Sequence, residues 1–175
     1  MLYAFAPMEG VTSCLFRRTH AKCFPGVDRY YAPFLAPDAA ADCPFPVCYN
    51  GSIVDKASLD AVREAVPSLE RVMLGRGAAA DPALFRVLRG GEPLSSDELL
   101  DFLTRFRAAL TDSGLGDHYT LGRLKELWFY CGAKFPDDPR GVKRIAKAQN
   151  LEDYRSAVRL LFAGGGFRPE APFIG

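Results

Sequence analysis

Two rhythms of apolar and polar positions divide the chain. Up to Gly91, short apolar runs alternate with segments of helical period, and turn residues punctuate the joins. Leu2–Ala6 reads as a buried strand that ends at Pro7. Ser13 then caps a helix through Cys23, which Pro25-Gly26 breaks. Arg29–Phe34 and Phe45–Tyr49 read as the second and third strands, the first with Pro33 near its end and the other followed by Asn50-Gly51. Asp55–Val66 predicts a helix with Leu59, Val62 and Val66 on one face. Arg71–Leu74 is a fourth strand, followed by Gly75-Arg76-Gly77, and Pro82–Leu88 is a helix that stops at Gly90-Gly91. Strand–helix repetition of this kind implies parallel strands joined by right-handed crossovers.

Beyond Gly91 the strand pattern is gone. Ser95-Ser96-Asp97-Glu98 contains a capping box that opens a helix with Leu99, Phe102, Leu103 and Phe106 on its inner face. Thr120–Cys131 and Pro139–Ala148 are two further helices, and Asn150 caps a last one that ends at Gly164-Gly165-Gly166. The expected organisation is an α/β domain over 1–91, a helical domain over 95–163 and a loose tail over 164–175.

Composition narrows the class. With 49% apolar and 25% charged residues, the 175-residue chain can bury a core, and its net charge of +1 names no partner. The charge is uneven, however. Glu92–His118 holds six acids and two bases, whereas Tyr119–Asn150 holds seven bases and three acids. The five cysteines (Cys14, Cys23, Cys43, Cys48 and Cys131) form no CxxC pair, and only two histidines, His20 and His118, are present. This argues against a zinc site, a disulfide scaffold or a Ser-His triad, and suits a reducing compartment. No apolar run approaches a membrane span, so the expectation is a soluble, cytoplasmic protein without a membrane partner. His20 is expected on the surface, and Cys14, Cys23, Cys48 and Cys131 as small buried hydrophobes. Of Trp128, Phe129 and Tyr130, a helical triple aromatic, most of the surface is expected in the core, with room for one exposed ring.

Chemistry concentrates in two places. Asn50-Gly51-Ser52 and Gly75-Arg76-Gly77 follow predicted parallel strands, where glycine lets backbone N–H groups approach a phosphate and Arg76 can grip it bidentately. Two ordinary tight turns would look the same. Arg140, Lys143, Arg144 and Lys147 form one positive stripe at helical spacing, which with Arg123 and Lys125 can track phosphates or simply be a solvated face.

These residues also carry a resemblance. Ala6-Pro7-Met8-Glu9-Gly10-Val11-Thr12, Phe16-Arg17-Arg18 and Val27-Asp28-Arg29-Tyr30-Tyr31-Ala32-Pro33-Phe34 resemble the opening of tRNA-dihydrouridine synthases. Pro46–Ile53 and Val72–Gly77 resemble that family's last two barrel strands, and Leu121-Gly122-Arg123-Leu124-Lys125-Glu126 its C-terminal helical signature. The resemblance implies an FMN-dependent TIM (β/α) barrel joined to a helical tRNA-binding domain. In that family NADPH reduces the flavin, a hydride passes to C6 of a flipped-out uridine, and a loop cysteine protonates C5. By position, Pro7 and Met8 would lie against the flavin ring. Asn50, Gly51, Ser52, Gly75 and Arg76 would hold the FMN phosphate, Ser52 standing where the family has Asp. Arg123, Lys125, Arg140, Lys143, Arg144 and Lys147 would contact tRNA.

The middle of such a barrel is missing. Only Leu35–Pro44 stands where the family has strands three to six, so the expected fold is a truncated barrel of strands equivalent to 1, 2, 7 and 8, in the spatial order 7-8-1-2. Ten residues reach roughly 33–36 Å, enough to cross from the second strand to the seventh. The family's catalytic cysteine loop has no counterpart; Cys43, followed by Pro44 but not preceded by Asn-x-Gly, is the one substitute. FMN binding is therefore expected to be weakened. Three readings compete: a shortened dihydrouridine synthase-like flavoprotein, an inactive tRNA- or flavin-binding remnant, and a deletion product without function. A half barrel also exposes two strand edges, from which a homodimer that completes the barrel follows, burying Tyr3, Phe5, Tyr31, Val47 and Met73 or their neighbours.

Overall fold

The computed structural model describes residues 1–8, 11–30, 48–51, 53–65 and 71–173. Among them are four strands: β1 (Leu2–Phe5), β2 (Arg29–Tyr30), β3 (Tyr49–Asn50) and β4 (Arg71–Leu74). All pair in parallel, in the order β2-β1-β4-β3. That is the order expected of barrel strands 2, 1, 8 and 7. What the structure shows is a mixed α/β chain, mostly helical, with a small parallel sheet. The predicted extensions of β2 through Phe34 and of β3 from Phe45, the connector Leu35–Pro44, Ser52 and Cys43 lie outside the described residues. Cys48 precedes β3 rather than joining it.

Eight α-helices are described: α1 (Cys14–Cys23), α2 (Lys56–Ala65), α3 (Arg76–Ala80), α4 (Leu84–Leu88), α5 (Ser96–Asp112), α6 (Asp117–Cys131), α7 (Pro139–Ala146) and α8 (Leu151–Ala163). Local signals explain most of their ends. Ser13 caps α1 through the Phe16 amide, and the Ser95–Glu98 capping box opens α5. Asp138 caps α7 just before Pro139, and Asn150 caps α8. Helix α3 was not expected: Gly75 precedes it with no side-chain cap, and packing holds it instead. A Cβ on Gly77 would strike the Ile53 carbonyl and Val54 Cα, so only glycine lets α3 lie this close to the turn after β3. Helix α4 begins two residues later than Pro82 because Asp81 takes the Ala83 amide on its carboxylate and the Leu84 amide on its carbonyl. Helix α6 starts at Asp117 instead of Thr120, and α7 stops at Ala146 instead of Ala148.

The sheet has a helix-covered face. Tyr3↔Val72 and Phe5↔Leu74 are register partners and all four are buried, Tyr3 and Phe5 touching Phe85. Successive strand residues point to opposite faces, so Leu2, Ala4, Arg71 and Met73 occupy the other face. This corrects the expectation that Tyr3 and Phe5 face inward in a barrel. Both faces of β1 are apolar, and the alternation alone does not say which one the helices take.

The two halves share one core. Helix α1 packs on α5, with the Phe16 ring 5.7 Å from Phe102 and 5.6 Å from Phe106. The Cys131 thiol of α6 donates to the Ala79 carbonyl of α3. Arg86 of α4 grips Glu98 with both terminal guanidinium nitrogens, at 2.6 and 2.9 Å. The tail after Gly164, expected to be loose, is docked: the Arg168 amide donates to the Lys134 carbonyl, Phe167 meets Phe135, and Phe173 meets Phe129 and Tyr130. Apolar side chains at 167 and 173 find partners there, which residue spacing in a Gly-Pro-rich tail does not reveal.

Candidate functional site

Parallel pairing puts the carboxyl ends of β1, β3 and β4 side by side, and the predicted site residues follow those ends. The β1–β4 ladder runs one step further, the Ala6 amide donating to the Leu74 carbonyl at 2.7 Å. Pro7 and Met8 come next. A tight turn fixes Met8: its amide donates to the Thr12 hydroxyl at 2.7 Å, and its carbonyl accepts from the Val11 and Thr12 amides. On the neighbouring strand Gly75 takes up the space beneath. A Cβ there would stand 3.2 Å from Ala6 Cβ and 3.3 Å from Met8 Sδ. Met8 thus lies over Gly75.

Asn50 pairs with Met73, which places Gly51 beside the end of β4. The chain turns there through an Ile53 amide to Gly51 carbonyl bond of 2.9 Å. Pro7, Met8, Asn50, Gly51, Gly75 and Arg76 therefore share one edge of the sheet. Arg76 and Asn50 are exposed, and Arg76 opens α3 with no side chain capping the first-turn amides. Ser52 lies outside the described residues. The opposite, amino end of the sheet is closed: Asp28 accepts from the Tyr3 amide and from Arg89, whose guanidinium sits 4.6 Å from the Tyr3 ring centre.

These residues fit a phosphate group in kind. Uncapped first-turn amides, a glycine that keeps the surface low and an exposed guanidinium form the donor set a phosphate needs. Pro7 and Met8 add an apolar ledge beside it.

The basic residues form a second surface. Arg140, Lys143, Arg144 and Lys147 are all exposed on or next to α7. Helix α7 packs on α6, where Val142 fills the space beside Gly132. Arg123 and Lys125 are half-buried on α6 and are not equivalent. Arg123 pairs with Glu126 at 3.0 Å and lies over the Tyr119 ring, so its charge is already engaged.

Three groups were misjudged or missed. His20 is fully buried, not on the surface. The Pro82 carbonyl can only accept, so His20 Nε2–H donates to it at 2.9 Å and Nδ1 accepts from the Tyr30 hydroxyl at 2.8 Å. Burial lowers the His20 pKa to about 4 and pushes the Tyr30 hydroxyl up to about 12. The signal was the helical period: His20 lies four residues after Phe16, on the inner face of α1. The second is a buried ion pair, Lys134 to Asp81 at 2.8 Å, with Lys134 Nζ also donating to the Pro169 carbonyl. Nothing in the local sequence marks it. The third concerns the cysteines: of the four among the described residues only Cys131 is buried, Cys23 and Cys48 are half-buried, and Cys14 is exposed. Burial pushes the Cys23, Cys48 and Cys131 thiols up, Cys131 to about 12. Cys43 lies outside the described residues.

Among the described residues no group of three or more His, Cys, Asp or Glu could hold a metal ion, and no helix is long and apolar enough to cross a membrane. No protein-family model and no curated protein matches the chain.

Proposed function

We propose that the protein is a tRNA-dihydrouridine synthase-like flavoprotein with a truncated barrel, holding FMN at the carboxyl edge of its sheet and tRNA on α6 and α7. One observation carries the reading: residues from three separate strand ends, which the resemblance assigns to a single cofactor, meet along that edge. Gly51, Gly75 and Arg76 would take the phosphate, and Pro7 with Met8 would border the ring. Bound FMN would supply hydride chemistry, with NADPH as its reductant. The chain's own part is to orient the cofactor and to hold the RNA by its backbone charge.

A second reading, binding without turnover, has its own support. Hydride addition at C6 of a uridine needs an acid placed at C5. Of the described cysteines, Cys48 comes before β3, not after it, and burial raises its thiol pKa.

FMN titration by calorimetry tests the cofactor assignment. Arg76→Ala is expected to weaken binding by about 10- to 150-fold, the worth of a charge-assisted contact; unchanged affinity would remove the phosphate site. For the RNA, Lys143, Arg144 and Lys147→Glu is expected to weaken tRNA binding and flatten its salt dependence. Supplying NADPH, FMN and unmodified tRNA and measuring dihydrouridine by mass spectrometry separates the two readings: no product is expected, and product lost in Cys43→Ala makes Cys43 the acid. A dimer pairing β2 of one copy with β3 of another would close the sheet. It would bring Leu2, Ala4, Arg71 and Met73 inside, and light scattering of a concentrated monomer would eliminate it.

A further inference from the structure

Phe129 has no place in the core. At 69% exposure it is the most exposed of the large apolar side chains among the described residues, while its neighbour Trp128 is 1% exposed and donates to the Tyr154 hydroxyl. Two rings hold it in place without covering it. Tyr130 stands nearly perpendicular at 5.0 Å, and Phe173 reaches back from the tail to 5.9 Å at 67°. Phe173 also touches Tyr130 at 5.2 Å, so the three rings brace one another.

The same face of α6 carries a cation, Lys125. His118, Gly122, Lys125 and Phe129 follow at spacings of four, three and four, one stripe along α6. A Cβ on Gly122 would meet nothing within 4 Å, which leaves open space on the stripe between His118 and Lys125. Lys125 lies one turn from Phe129, and the exposed Arg140, Lys143, Arg144 and Lys147 belong to α7, which packs on α6. Arg123 is offset by its pairing with Glu126.

From this we infer that Phe129, braced by Tyr130 and Phe173, is a stacking platform for an unpaired base of RNA. The inference rests on the tRNA reading and deepens it. An aromatic face beside phosphate-tracking cations is the arrangement by which proteins hold single-stranded nucleic acid, because every base offers a π-face. An unpaired nucleotide would use both features at once, its base on the ring and its phosphates on Lys125 and the exposed basic residues of α7. The platform needs an unpaired base, so it addresses a loop and not a stem.

The test uses the full chain and a fluorescently labelled octauridylate alongside tRNA. Phe129→Ala is expected to weaken octauridylate binding about 5- to 150-fold without changing the salt slope, since no charge is lost. Phe129→Tyr is expected to restore it. Because the ring is exposed, both variants should fold, and circular dichroism checks this. Octauridylate that does not bind, or that binds Phe129→Ala as it binds the wild type, overturns the platform. If tRNA binding then still falls on reversing the α7 charges, the tRNA reading stands without it. Octauridylate binding that needs Phe129 while tRNA does not bind would instead keep the platform and remove the tRNA reading. Altered self-association in Phe129→Ala with unchanged RNA binding would mark a protein interface and also overturn the proposal.

Discussion

The seam around His20 and the carboxyl edge of the sheet lie on the same strands and are built on opposite principles. At the seam, Phe5, Phe16, Phe24, Phe85 and Phe102 surround a neutral histidine whose two nitrogens are both satisfied. Every group there is fixed by several others. At the edge, backbone turns and the glycines Gly51 and Gly75 define the shape, and the polar residues Asn50 and Arg76 are exposed. Packing is concentrated where the two halves of the chain meet, and the edge is shaped by backbone. If the edge takes the proposed cofactor, a rigid sheet beneath it would give the site precision.

The seam predicts that the halves unfold together. Phe102 of α5 touches Phe16, Phe24 and His20 of the first half. Phe102→Ala should cost about 3–5 kcal/mol, enough to lose much of the stability of a chain this size. Denaturant unfolding followed by far-ultraviolet dichroism and by Trp128 fluorescence should give one coincident transition. Two separate transitions would break the comparison by showing an independent helical domain.

The buried pair is the next largest. Lys134→Met leaves Asp81 buried beside a single amide donor and frees the Pro169 carbonyl, so it should cost about 3–5 kcal/mol. The double variant Asp81→Leu, Lys134→Met should recover most of that loss. A double-mutant cycle measures the coupling, and additive losses would show that the pair does not act as a unit.

His20 gives the seam a pH signature. Its folded pKa, lowered to about 4 by burial, lies below its ordinary 6.5, so between those values the unfolded chain binds more protons than the folded one. Stability is therefore complete above about pH 6.5 and falls as the pH drops toward 4, by roughly 3 kcal/mol in all. Glu98, held down to about 2 by Arg86, adds its own loss only below its ordinary value of 4.5. The interval from 6.5 to 4.5 thus isolates the histidine. His20→Gln should flatten the stability profile there, and an unchanged slope would mean that another group titrates.

How much of this was legible follows the same division. The helices of the second half were readable because their signals are local: Ser95 with Glu98, Asp138 before Pro139 and Asn150 each cap their own helix. The strand order was expected only from the resemblance, which sets the last barrel strand beside the first; no local residue pattern reveals it. Contacts distant in sequence were not readable. His20 meets Pro82 across 62 positions and Lys134 meets Asp81 across 53, and neither end carries a mark of its partner. Helix α3 was invisible for a related reason, since Gly75-Arg76-Gly77 reads as a turn and becomes helical only where Gly77 packs against Ile53. The edge residues were named from resemblance and from their place after strands; that Met8 lies over Gly75 could not be.

The smallest effect sharpens the comparison most. Gly75 has a negative φ, so alanine there brings no backbone strain, only crowding against Ala6 Cβ and the flexible end of Met8. Met8 can swing aside, and Gly75→Ala should cost about 1 kcal/mol or less, below the usual range for overpacking a rigid core. Gly77→Ala, two residues on, drives a Cβ into the Ile53 carbonyl and should cost several times more, because backbone cannot move away as a thioether can. If the edge is a binding surface, the ranking reverses for the ligand per unit of stability lost. Displacing Met8 from its position over Gly75 should weaken FMN binding by at least tenfold while the melting temperature barely moves. Equal FMN affinity in Gly75→Ala and wild type, with Met8 displaced, would show that the ledge takes no part in holding the ring.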